Sequence, residues 1–153
     1  MMPTVQTWGE SSAARFVDEQ LAGQKRFLHK SAALGIEHVL REELAEVWEE
    51  CSEPDWDAYN AFPVTWDTYR NARQFLLSLP LGIPLPSLGA EPDGHITFEW
   101  HRAPRRTLSV SITPDDQLHY AALLGPGRTC GSEPFFGDVP QRILDLIRDV
   151  YTC

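Results

Sequence analysis

No stretch of the 153-residue chain approaches the roughly 18–20 consecutive apolar residues that a membrane-spanning helix requires. Its first residues, Met1-Met2-Pro3-Thr4-Val5-Gln6-Thr7-Trp8, lack the basic stretch followed by an apolar one that marks a secretory signal. A cytoplasmic protein with no membrane partner is therefore the expectation. Cysteine is scarce: Cys51, Cys130 and Cys153 are odd in number, far apart and without a C-x-x-C pair, which argues against a disulfide framework or a zinc ribbon. Positive charge is the largest deficit, with 13 Lys and Arg against 22 Asp and Glu and a formal net charge of −9. So acidic a chain is a poor match to nucleic acid, because affinity for phosphate backbones rests on cationic neutralisation. Catalytic signatures are missing as well. There is no G-x-S-x-G elbow and no H-E-x-x-H, and Gly125-Pro126-Gly127 lacks the lysine and following helix of a phosphate loop.

What is present is an ordinary globular composition, 42% hydrophobic and 23% charged, at a length that suits one domain with its own core. The pattern divides in two. Ser11 and Ser12 can cap a helix to about Leu34, stopped by Gly35. From Ile36 to Cys51, the residues Ile36, Val39, Leu40, Leu44, Val47, Trp48 and Cys51 form one apolar stripe at helical spacing, with Glu42, Glu46 and Glu49 on the far side. An aromatic loop from Asp55 to Pro63 then leads to Thr65, a cap for a helix to about Leu79 whose core side carries Trp66, Tyr69, Phe75, Leu76 and Leu79.

Beyond Pro80 the period changes to alternation. Four strands are expected: an edge strand from Leu85 to Glu91, one carrying Ile96, Phe98 and Trp100, one carrying Leu108, Val110 and Ile112, and one from Gln117 to Leu124. Gly125-Pro126-Gly127 reads as the opening of a loop pinned by Phe135-Phe136, and Pro140 as the first residue of a last helix with Ile143, Leu144, Ile147, Val150 and Tyr151 inward. The expectation is a single α+β domain over 1–153, with a helical part at about 11–79. A four-stranded, mainly antiparallel sheet and a C-terminal helix fill about 85–151.

Charge is unevenly spread. Residues 36–67 hold Glu37, Glu42, Glu43, Glu46, Glu49, Glu50, Glu53, Asp55, Asp57 and Asp67 against Arg41 alone, so the whole excess of −9 lies there and the rest of the chain is nearly neutral. Like charges at i and i+4, such as Glu42 with Glu46, cost a few tenths of a kcal/mol per pair. Carboxylates late in a helix also oppose its dipole. Solubility accounts for such a face; so does docking on a basic partner protein, including one that ordinarily binds nucleic acid. Trp56 and Tyr59 beside these acids are of the types enriched at interface centres. The expected partner-binding set is thus Glu42, Glu46, Glu49, Glu53, Asp55, Trp56, Asp57 and Tyr59, with no cofactor and no metal. An inhibitor of the antitoxin, immunity or anti-CRISPR type is one concrete form. Two alternatives remain. His95, Glu99 and His101 share one parity and, with Ser109, Ser111 or His119, could build a metal or hydrolytic site. Arg102, Arg105 and Arg106 form a basic, solvated hairpin tip that could meet the acidic helix of a second copy in a homodimer or other self-associating module.

The string Trp56-Asp57-Ala58-Tyr59-Asn60-Ala61 with Pro63-Val64, then Pro92-Asp93-Gly94, Phe98-Glu99-Trp100 and Leu108-Ser109-Val110, resembles a widespread set of small bacterial proteins without an assigned activity. The resemblance covers roughly residues 45–151. It implies a bacterial or mobile-element origin and carries over no catalytic residue. Ala58 and Asn60 stand where glycine is expected, which implies a stiffer loop here.

Overall fold

In the computed structural model the described residues are 38–152, within the compact unit Glu37–Cys153. The expected helix from Ser11 to Leu34 lies outside them. A first helix, α1, runs through residues 38–51 and buries Leu40, Leu44 and Cys51, as its stripe requires. Val39, assigned to the same stripe, is exposed. A second helix, α2 (Trp66–Ser78), begins where expected: Thr65 Oγ1 accepts the backbone N–H of Thr68 at 3.3 Å. Its buried side is Thr68, Ala72, Phe75 and Leu76.

Five strands follow, not four: β1 (Ser87–Ala90), β2 (Ile96–Ala103), β3 (Arg106–Ile112), β4 (Gln117–Leu124) and β5 (Gly127–Pro134). They form one antiparallel sheet in sequence order, so every strand pairs only with its neighbours in the chain. The expected loop after Leu124 is in fact a two-residue hairpin, Gly125-Pro126, with Leu124 opposite Gly127. Gly125 takes a φ of 62°, which with proline's fixed negative φ next suits the twist of a tight hairpin. Gly127–Pro134 carries no apolar alternation and is held by its ladder to β4, which is why the pattern hides it.

One face of the sheet is apolar: Ile96, Phe98, Trp100, Leu108, Val110, Ile112, Leu118 and Ala122 are buried in a common core with Phe75 of α2. A third helix, α3 (Gln141–Tyr151), adds Ile143, Leu146, Ile147 and Val150. Pro140 is its N-cap rather than its first residue, so the helix begins one residue later than expected, and Leu146 joins its buried side while Leu144 and Tyr151 are only partly covered. Phe75 stacks obliquely or edge-on against Phe98, Trp100 and Phe135, with centroids 5.0–6.4 Å apart. Of the expected pin, Phe135 is buried but Phe136 is 80% exposed. Trp100, fully buried, still satisfies its ring N–H by donating to Pro84 O at 2.7 Å, and this fixes the connector after α2. Asn71 of α2 donates to Thr113 O at 3.1 Å, tying the helix to the β3–β4 turn.

The arginine tip is not solvated in the way its exposed position suggests. Arg106 Nη1 donates to Asp149 O at 2.9 Å and Thr152 O at 2.6 Å, and Arg102 Nη1 donates to Tyr151 O. These carbonyls end α3, where no intrahelical partner is left and the helix dipole is negative. Arg105, at a φ of 61°, donates from Nε to Gly125 O at 2.7 Å and accepts from Gly125 N–H, so the two hairpin tips are joined.

Candidate functional site

The acidic segment divides into a helix face and a knotted loop. On α1 the side chains of Glu42, Glu43, Glu46, Glu49 and Glu50 are all exposed. Glu42 meets His38 Nε2 at 3.2 Å; Glu46 and Glu49 have no ion pair among the described residues. Arg41, the single base of the segment, is engaged on its own account. Three apolar anchors, Leu40, Leu44 and Cys51, fix which side of α1 turns outward. Burial, and secondarily the charge of Glu50, pushes the Cys51 thiol above its ordinary value.

The loop after α1 uses its acids differently. Asp57 Oδ1 accepts the backbone N–H groups of Tyr59 at 2.8 Å and Ala61 at 3.0 Å, and Asp55 Oδ1 accepts that of Asn60 at 2.7 Å. Trp56 donates from its ring to Phe62 O at 2.9 Å. Three of the partner-binding candidates, Asp55, Trp56 and Asp57, therefore shape the loop through their polar side-chain atoms. Asp55, Ala58 and Asn60 all hold left-handed backbone, φ 62–65°. That is the conformation in which glycine carries no penalty, and it falls on the two positions, Ala58 and Asn60, where glycine was expected.

Knotting the loop leaves its rings outside: Tyr59 is 85% and Phe62 68% exposed. Phe62 N–H donates to Pro92 O at 2.8 Å, and a Cβ on Gly94 would lie 2.8 Å from Pro63 O. Thus the two motifs Trp56–Val64 and Pro92-Asp93-Gly94, separate in the chain, pack on each other. Trp66, assigned to the core side of α2, is 57% exposed. It rests at the first turn of α2 against Trp48 and Tyr69, centroids 5.7 and 5.4 Å away. Sequence periodicity missed this patch because ring-on-ring packing at a helix end satisfies the hydrophobic pattern without full burial.

The strand histidines do not converge. His95 Nδ1 sits 3.1 Å from Asp93 in the turn, Glu99 accepts from Ser109 Oγ at 3.4 Å, and His101 Nδ1 meets Thr107 Oγ1 at 2.8 Å. His119 lies across from Ser132, with Nδ1 2.7 Å from its Oγ. Each is matched to a cross-strand or turn neighbour. Among the described residues no three His, Cys, Asp or Glu side chains are grouped to hold a metal ion. Nor is any described helix long and apolar enough to cross a membrane.

A half-open groove of about 420 Å³ lies at the other end of α2, between the connector at Pro80, Gly82, Ile83 and Pro84 and the Leu144, Ile147, Arg148 and Tyr151 side of α3.

Fold and surface together define a meander sheet with helices on its apolar face and an acidic, aromatic edge. Comparisons with protein-family models, curated proteins and solved structures find no match to the chain.

Proposed function

We propose that this is a non-enzymatic, cytoplasmic protein-binding factor that presents the outward face of α1, with Glu53 and Tyr59 of the following loop, to a basic surface of a partner protein. The observation that carries the reading is the disposition of Glu42, Glu46 and Glu49, exposed together on the side of α1 opposite its apolar anchors. Glu46 and Glu49 are not neutralised by any described neighbour. Concentrated, unpaired charge of one sign costs helix stability, and its return is fast, oriented association with a surface of opposite sign. Tyr59 adds an apolar anchor beside the charge. An inhibitor that occupies a partner's nucleic-acid-binding surface is the concrete form we favour. Asp55, Trp56 and Asp57 serve it indirectly, by holding the loop that displays Tyr59.

The test is capture of the partner by the full chain and by a triple variant, Glu42→Lys with Glu46→Lys and Glu49→Lys. Reversal exchanges the Glu42–Glu46 repulsion for an equal Lys–Lys one and gives up the His38–Glu42 contact, but it turns Glu46–Glu50 into an attractive pair and suits the negative end of the helix dipole, so the variant should melt close to the parent. Loss of capture with an undiminished melting temperature supports the reading. Undiminished capture overturns it.

A further inference from the structure

Two exposed apolar patches lie at opposite ends of α2, and their rims carry opposite charge. At its N-terminal end the loop projects Tyr59 and Phe62, with Glu53, Asp55 and Asp57 around them. Just past its C-terminal end, Leu81, flanked in the chain by the groove residues Pro80 and Gly82, is 86% exposed, and Leu85 beyond it is half exposed. On the α3 side Arg148 lines the groove, 3.6 Å from Asp145, and behind it Arg102 and Arg106 are bonded to the carbonyls of the lining residues Tyr151 and Thr152, so three guanidinium groups to one paired carboxylate leave this side net cationic. Apolar patches with polar rims are the usual mark of a docking surface.

We propose that these two surfaces bind each other between copies of the chain, the Tyr59–Phe62 loop of one molecule entering the groove of the next. The sizes agree: a cavity of about 150 Å³ accepts a benzene ring, so about 420 Å³ has room for the tyrosine ring and part of its neighbour. The charges agree as well, carboxylates around the projecting rings facing guanidinium groups around the groove. Contact within one molecule is ruled out by α2 itself. Its 13 residues form a rigid rod of about 18–20 Å that holds the two surfaces apart. Because the surfaces differ, each contact joins a loop to a groove, which gives open chains or a closed assembly in which every loop fills a neighbour's groove. The proposal shares Tyr59 and Glu53 with the partner-binding reading but makes no use of α1. Partner capture and self-association would therefore compete for the loop.

Sedimentation of the full chain over a concentration series at low and at 0.5 M salt reads the association directly. The mean mass should rise with concentration at low salt and fall back as salt screens the rims. Two variants change only exposed side chains: Tyr59→Ala with Phe62→Ser removes the projection, and Leu81→Glu with Arg148→Glu spoils the groove. Each alone should sediment as a monomer, with apparent affinity reduced at least tenfold. Mixed, they retain one good groove and one good loop between them and should form a 1:1 dimer and nothing larger. A parent chain that stays monomeric at several hundred micromolar overturns the proposal, as does a mixture that fails to pair, or a variant that assembles as the parent does. Charge reversal on α1 leaves this assay unchanged, so failure here and failure of partner capture are read separately.

Discussion

The ring of Tyr120 lies over Gly131, its partner directly across the β4–β5 ladder, so closely that a Cβ on Gly131 would come 2.7 Å from the phenol oxygen and 3.2 Å or less from two ring carbons. Glycine weakens a strand, and an aromatic laid across it from the neighbouring strand restores the missing cover.

Gly131→Val, which raises strand propensity, should therefore destabilise rather than stabilise, by about 1–3 kcal/mol of overpacking. Urea unfolding at an unchanged slope measures it. The same substitution in a Tyr120→Ala background should be tolerated better than in the parent, because the obstructing ring is gone.

Ala58 holds a φ of 62° that costs a residue with a Cβ about 1–2 kcal/mol. Ala58→Gly removes that cost but loosens the unfolded chain, and the expected result is a gain of up to about 1 kcal/mol in stability. A lower melting temperature would show that the left-handed turn is not strained by alanine.

Arg106 bridges the end of α3 to the β2–β3 hairpin through two carbonyls. Arg106→Ala should cost about 1–2 kcal/mol by leaving those oxygens to water and removing a cation from the negative end of the helix. Arg106→Lys should restore only part of it, since a point charge on a flexible stem replaces the planar fork less well. Thermal melts of the three proteins give the order.

The Cys51 thiol, raised above its ordinary value of 9.0 mainly by burial and further by Glu50, sets a thiol-reactivity pattern. With Cys153→Ser as background, exposed Cys130 should react with a disulfide reagent at pH 8, and Cys51 only on unfolding. The unfolded thiol ionises first, so Cys51 contributes its full stability below its unfolded value and loses it as pH climbs through the higher folded one. Cys51→Ala should flatten that alkaline decline while lowering stability at neutral pH.

The elements most legible in the sequence were those whose period is also their burial pattern. Ile96, Phe98 and Trp100 alternate and are all buried, and Gln117 to Leu124 is a strand over the expected span. Thr65 announced α2 by the chemistry of its hydroxyl. Elements held by backbone bonds alone were illegible, β5 foremost, because Gly127–Pro134 has no apolar side for a period to reveal. The candidate site was half visible. Charge showed where the carboxylates lie, but not that Asp55 and Asp57 fold the loop while Glu46 and Glu49 face outward. That division depends on which backbone N–H groups turn inward, and the left-handed residues at 55, 58 and 60 determine it. Likewise Arg102 and Arg106 belong to the end of a helix some forty residues away, a relationship that no local pattern carries.

Because each strand pairs only with the one before or after it, and two of the hairpins close over Pro104-Arg105 and Gly125-Pro126, the sheet is assembled from local closures with little chain entropy lost in each. During synthesis the ladders can therefore form in the order in which they leave the ribosome. α3, which follows the sheet in the chain, then completes the cover of the apolar face begun by α2 and receives the guanidinium groups of Arg102 and Arg106 already placed on the hairpin. Closure of the core then waits on α3, and chains stopped before residue 141 would carry a formed sheet with its apolar face covered by α2 but not by Ile143, Leu146, Ile147 and Val150.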